Sequence, residues 1–275
     1  MYYYKIAEVI FQSCCRLVSF EPFTCDPSEA DVILEQTDAQ PPQGRDLISG
    51  TIIHRRLKDG WFFQNIYSDE ISLYSDTDYT HLQLLGEENE DRIGLIERLI
   101  RVALECLLVR RGYVSLHAAA VEVKGKAYAF TGPSEIGKST RAAAWKQALG
   151  ASLISGDRPL ISVRDQMLYG VPWDGKEQCF RNVCYPLKAI FEVRRGDTVS
   201  LMPMNFSQRR ELLMSQCFIP MWDTETALIQ MENIMRLAAG ADIVRAFCGS
   251  SQKDARALYD LAGKDSAEIV SPSKE

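Results

Sequence analysis

Apolar and polar positions alternate at short range through the first 88 residues. "YYYKIAEVIFQ" reads as a strand. "DVILEQ", "GTIIHRRL", "GWFFQNIYS", "EISLYSD" and "HLQLLG" follow it, separated by "DPSEAD", "DAQPPQGRD", "KDG" and "SDTD". Short strands at this spacing predict an antiparallel β-rich module, an accessory domain over residues 1–90. "TDAQPPQGRD" predicts a mobile loop. The period then changes. In "EENEDRIGLIERLIRVALECLLVRRG", Leu95, Ile96, Leu99, Ile100, Ala103, Leu107 and Leu108 recur at helical spacing. Acidic residues crowd the start, and Arg110, Arg111 and Gly112 close the segment, as a helix dipole prefers. A helix over 91–111 is expected to bridge two parts of the chain.

Residues 91–275 predict a second domain, with a core over 113–200. In "YVSLHAAAVEVKGKAYAFTG" two β-type runs flank Lys124-Gly125-Lys126, a tight hairpin turn. "KSTRAAAWKQALG" is a helix closed by Gly150. "ASLISGDRPLISV" is a strand ending near Asp157, "QMLYGVPWDGKE" a strand running into a loop, and "PLKAIFEVRRG" another strand. The last third reads as mainly helical in "FSQRRELLMSQCFIPM", "TETALIQMENIMRLAAG" and "SQKDARALYDLAG". Strands and helices around one loop predict an α/β nucleotide-binding core.

Composition narrows the function classes. Formal net charge is −6, against a nucleic-acid or anionic-membrane partner. No stretch approaches a membrane span. Lys5 and Glu8 interrupt the apolar N-terminus, against a signal peptide. The 8 Cys include no C-x-x-C pair, which leaves reduced thiols in a cytoplasmic protein as the expectation.

The chemistry centres on "TGPSEIGKST", residues 131–140. Gly132, four residues, Gly137, Lys138 and Ser139 form a complete P-loop pattern, with a strand before it and a helix after. Gly132 and Gly137 permit close backbone approach, and after Pro133, which has no N–H, the backbone N–H groups of residues 134–139, beginning with Ser134, Glu135 and Ile136, can converge on phosphate oxygens. The following helix, with Thr140 in its first turn, presents its positive end. Lys138 can reach the β- and γ-phosphates of ATP, and Ser139 can ligate Mg²⁺. Asp157 is the candidate metal carboxylate; its plain structural reading is a turn-capping Asp. A strand carrying it is expected to lie beside the loop strand.

The order of pieces resembles the HPr kinase/phosphorylase-like family, whose nucleotide core is related to that of ATP-dependent phosphoenolpyruvate carboxykinase. The resemblance covers about residues 113–195. It rests on "LHAAAV" (116–121), "GPSEIGKST", "LISGDR" (153–158), "YGVPWDGKE" (169–177) and "PLKAIF" (186–191). It implies a P-loop kinase core with an N-terminal β-rich accessory domain, and a hydroxyl acceptor on a small metabolite or on a peptide or protein Ser. It also implies that His117 contacts the transferred phosphate or the acceptor; a buried, hydrogen-bonded His is the plain alternative. Two departures stand out. The family commonly carries two adjacent Asp where this chain has Gly156-Asp157, so the position of the base is empty. Glu135 stands where the family loop often has Gly.

Glu135 is expected either to face solvent or to act as acceptor clamp or replacement base. Asp174 is a second candidate base, and Lys176 and Arg181 are candidates to neutralise phosphate or acceptor charge; a solvated charged loop is the alternative. Trp173 is a substrate platform or core. His54 and His81 carry no motif. Guanine-nucleotide and transporter signatures are absent. The rival function is a non-catalytic nucleotide-binding partner in a peptide- or cofactor-biosynthetic assembly. Phosphorolysis follows from the resemblance alone, and self-association stays open.

Overall fold

The apolar stretch that opens the chain is two strands, β1 (Tyr2–Ile6) and β2 (Val9–Ser13), where the pattern predicts one. Ile6 pairs with Val9, and Ala7 turns the chain at φ +53°. The computed structural model describes residues 1–173 and 178–263. Among these residues the chain is mixed α/β, with two mixed sheets and five helices.

Six more strands complete the first sheet: β3 (Val32–Thr37), β4 (Asp46–Ser49), β5 (Ile52–Arg56), β6 (Gly60–Asn65), β7 (Ser68–Asp76) and β8 (His81–Leu85). Their order is β1-β2-β3-β8-β7-β6-β5-β4. The antiparallel expectation is corrected here, because β3 runs parallel to both β2 and β8. The chain crosses over between β2 and β3 instead of turning a hairpin, and buried Phe20 and Phe23 anchor that crossover. Residues 38–45 have no regular structure, as expected of a loop. β4 follows them unannounced, since all four of its residues are exposed and no apolar face marks it.

Helix α1 (Ile93–Arg110) buries Ile96, Leu99, Ile100, Ala103, Leu104 and Leu107 in the core formed with the first sheet. The second sheet contains β9 (Tyr113–Ser115), β10 (Ala118–Val123), β11 (Lys126–Thr131), β12 (Ser152–Ser155), β13 (Leu160–Ser162), β14 (Met167–Tyr169), β15 (Cys184–Arg194), β16 (Ser200–Pro203) and β17 (Ile243–Phe247). Its main path is β12-β10-β11-β15-β14-β13-β9, with β17 on β15 and β16 on β17. β11, β15 and β17 are parallel. The last third is mainly helical, as expected, but it also carries β16 and, unannounced by the sequence, β17. β17 is five residues long and lies between two helices, too short to show a period of its own.

Four helices cover this sheet: α2 (Lys138–Leu149), α3 (Phe206–Gln216), α4 (Thr224–Gly240) and α5 (Gln252–Ala262). Alternation along the strands decides which helix meets which face. Ala118, Ala120, Ala129, Ile190 and Ile243 share one core with Leu212, Leu213, Ile234 and Leu237 of α3 and α4. Ala119, Val121, Tyr128, Phe130 and Phe191 share another with Trp145 of α2 and Leu258 of α5. Buried strands covered on both faces read as continuous apolar runs, as "AYAF" and "AIF" do.

The two sheets meet through a polar lock. Asp223 caps α4, its Oδ1 accepting from Thr226 N–H at 3.3 Å. Its Oδ2 accepts from the Tyr79 hydroxyl at 2.8 Å and from Arg110 Nη2 at 3.3 Å. Burial pushes the Asp223 carboxyl up, but hydrogen bonds from Thr226 and Tyr79 outweigh it and hold the group below the usual carboxylate value. Close by, the ring of Trp222 stacks on His54 with centroids 3.8 Å apart. His54 is 1% exposed, and neither ring nitrogen has a hydrogen-bond partner. Burial pulls its pKa down to about 4.

That burial predicts an acid-labile contact. The unfolded chain takes a proton on His54 near its ordinary value, whereas the folded imidazole resists until about pH 4. Falling pH between those limits therefore favours unfolding, by about 3 kcal/mol at full linkage. In urea unfolding from pH 7 to 4.5, His54→Phe should lose stability less steeply than the wild type. Equal slopes in the two proteins would contradict a neutral, buried His54.

Candidate functional site

β11 lies between β10 and β15, and from Ala127 onward its residues are buried. Its carboxyl end must pass from a central strand to a helix within six residues, and that turn is the glycine loop. Gly132 stands at φ +141° and Gly137 at φ +94°. At Gly132 an added Cβ would meet only ordinary contacts at 3.5 Å, so conformation alone requires glycine there. At Gly137 an added Cβ would also stand 2.7 Å from Arg141 Nη1. Pro133, Ser134 and Glu135 are exposed, and Ile136 packs partly against the α2-side core. Gly137 is the N-cap of α2 and offers no side-chain acceptor to the first-turn N–H groups. Ser139 and Thr140 are exposed on that turn.

Lys138 is buried, and its Nζ turns back to donate to the carbonyls of Gly132 and Pro133, each at 3.1 Å. Burial lowers its pKa, Asp157 opposes that, and the charge of Arg158 adds to the lowering. His117 precedes β10. Its backbone carbonyl accepts from Thr131 Oγ1 at 2.9 Å, which ties it to the end of the loop strand. His117 Nε2 lies 3.4 Å from Asp157 Oδ1, and the Ala118 N–H donates to the Asp157 carbonyl at 2.7 Å. Burial, then the charge of Lys138, lowers the His117 pKa, with Asp157 partly offsetting them. Neutral solution therefore holds His117 as the uncharged imidazole.

The structure thus gathers Lys138, His117 and Asp157, three of the expected residues. It reaches Asp157 by a different route. β12 pairs with β10, not with β11, so one strand separates it from the loop strand. The bend at Gly156-Asp157 and the backbone bond to Ala118 bring Asp157 back towards His117. Glu135 is exposed at φ +63° and makes no hydrogen bond or ion pair among the described residues. This is the solvent-facing alternative, and the left-handed backbone there suits Gly better than Glu.

Trp173 is 6% exposed and sits in the core with α1, which makes it core and not an open platform. Arg181 Nη1 donates to the Leu153 carbonyl at 2.6 Å, so it braces the first half of β12. Asp174 and Lys176 lie outside the described residues.

Three residues of the site escaped the sequence reading. Arg158 Nε is 4.0 Å from Asp157 Oδ2, and its Nη1 is buried without a hydrogen-bond partner. Glu192 is buried on β15 in register with Thr131, its charge taken by Arg245 at 2.6 Å and by Arg194. Its sequence signal is an acid directly after the apolar run "AIF". Arg141 is buried beneath the loop. Its signal is a cation in the first turn of a helix, where the dipole disfavours it.

For a divalent metal the site offers one carboxylate, Asp157, and one hydroxyl, Ser139. Among the described residues no three His, Cys, Asp or Glu side chains cluster as ligands. This donor set fits Mg²⁺, which keeps waters and takes most of its oxygens from phosphates, better than a metal needing an all-protein cage.

The conformation of Glu135 yields a stability prediction. Glu135→Gly removes a left-handed non-glycine residue, but it also loosens the unfolded chain. The first effect should win, raising the melting temperature by about 1–2 °C. Differential scanning calorimetry measures this, and a clear drop would mean that the Glu135 side chain holds the loop. Comparison with protein-family models and with curated proteins finds no match to this chain.

Proposed function

We propose that the chain is an ATP- and Mg²⁺-dependent phosphotransferase of HPr kinase-like type, acting on a hydroxyl of a small metabolite or of a peptide or protein Ser. One observation carries this reading. Lys138 is held by loop carbonyls at the end of a parallel strand, beside a His117–Asp157 pair. Ligand sites of open α/β sheets lie at the carboxyl ends of the strands, and a glycine loop opening a helix there suits phosphate.

Each residue then has a task. The N–H groups from Ser134 to Ser139 receive phosphate oxygens. Lys138 exchanges its two neutral carbonyl acceptors for charged ones, which strengthens its hydrogen bonds. Ser139 and Asp157 would hold Mg²⁺, which would supply charge neutralisation to the phosphates. Arg158, with a spare donor, neutralises charge on the far side of Asp157. His117, uncharged and next to Asp157, is placed to accept the proton of an attacking hydroxyl. Phosphoryl transfer depends mainly on positioning and charge, so a modest base suffices.

The rival reading, a nucleotide-binding partner without turnover, is favoured by Gly156. No carboxylate stands where the family places its base, and Asp157 is shared between His117 and Arg158.

Two variants separate binding from chemistry. Lys138→Ala should weaken MgATP binding by about 2–3 kcal/mol, roughly 30–150-fold. Asp157→Asn should weaken MgATP binding more than binding of metal-free ATP. Calorimetry with and without Mg²⁺ reads both. Unchanged affinity in Lys138→Ala would sink the nucleotide site, and equal losses in Asp157→Asn would return Asp157 to a turn residue. Phosphate transfer from labelled ATP to candidate acceptors would separate kinase from partner.

A further inference from the structure

Arg141 is the fourth residue of α2, and its guanidinium is buried without a carboxylate partner among the described residues. A buried cation without a counter-charge is costly to keep. Its hydrogen bonds indicate what it is kept for. Nη1 donates to the carbonyls of Ile136 at 2.9 Å and Gly137 at 3.2 Å. Nη2 donates to the Cys248 carbonyl at 2.6 Å, and Nε to Cys248 Sγ at 3.2 Å. Cys248 follows β17 directly, and its own N–H donates to the Arg194 carbonyl at the end of β15. Arg141 therefore ties the second half of the glycine loop to the ends of the two other parallel strands.

The peptide unit makes this tie directional. Its C=O and N–H point in opposite directions across a rigid plane. Drawing the Ile136 carbonyl down to Arg141 turns the Gly137 N–H the other way. Drawing the Gly137 carbonyl down does the same to the Lys138 N–H. Gly137 itself leaves the room that Nη1 occupies, since a Cβ there would stand 2.7 Å from it.

We infer that Arg141 is the positioning residue of the glycine loop: it aims the N–H groups of Gly137 and Lys138 and places an unneutralised positive charge behind them for a polyphosphate. The role in polyphosphate binding rests on the function proposed above; the hold on the loop does not. A guanidinium is required because one rigid fork reaches two loop carbonyls and Cys248 together, which a lysine cannot do.

The test uses the full chain with Arg141→Gln and Arg141→Lys. Amide hydrogen exchange without ligand reads the loop, and MgATP calorimetry reads the site. In Arg141→Gln, exchange over 132–140 should accelerate about tenfold, with peptides of β10 and α4 unchanged. MgATP affinity should fall about thirtyfold. Arg141→Lys keeps the charge without the fork, so it should recover only a minor part of the affinity while loop exchange stays fast; full recovery of affinity with a loose loop would overturn the positioning role. Wild-type loop exchange and affinity in Arg141→Gln would overturn the proposal. Acceleration throughout the chain would overturn it too, by showing a general structural role. If Arg141→Gln does not fold, Cys248→Ala removes one anchor, and about threefold faster loop exchange is expected; no change there overturns the anchoring. If wild-type protein does not bind MgATP, the proposed function falls and the exchange data alone decide whether Arg141 holds the loop.

Discussion

Unbalanced positive charge at the end of one buried strand is the constraint on which the site depends. Lys138, Arg141 and Arg158 gather where β11 gives way to α2, and the first-turn amides of that helix add their partial charges. Asp157 stands among them, Glu135 points to solvent, and Glu192 is already satisfied by Arg245 and Arg194. Lys138 meets its donors' needs with neutral carbonyls, and Arg141 does the same with carbonyls and a thiol. A protein interior tolerates such an arrangement poorly unless an anion completes it. The proposed polyphosphate is that anion.

The rest of the molecule keeps this end of the sheet rigid. Small residues on β10 and β11 let α3 and α4 approach one face, while Phe130, Phe191 and Trp145 fill the other. His117 cannot drift, because its backbone is bonded to Thr131 and to Gln216 on either side. The first sheet is fastened through Tyr79, Asp223 and Arg110, and through the His54–Trp222 stack. These contacts couple the β-rich sheet to the start of α4, which in turn covers the face beneath β10.

Local signals were legible in the sequence, and long-range ones were not. The glycine loop, α1 and the hairpin at Lys124-Gly125 depend on neighbouring residues, and the structure contains each of them; Lys124 and Gly125 both take positive φ. β17 was hidden because a five-residue buried strand between helices has no period to detect. The parallel entry of β3 was hidden because pairing partners are set by a crossover, not by alternation. The candidate site was half legible: Lys138, Asp157 and His117 belong to recognisable stretches. Arg141 and Arg158 were not singled out because their meaning lies in what they touch, namely loop carbonyls, Cys248 and Asp157.

The central claim is that the charge at the end of β11 awaits a nucleotide triphosphate. Titration of the wild-type protein with MgATP in a calorimeter tests it most directly, with inorganic phosphate as the competing small anion. The account predicts saturable one-to-one binding with a dissociation constant below about 1 mM, and much weaker binding of phosphate alone. Heat that never saturates, or equal affinity for phosphate and MgATP, would contradict it.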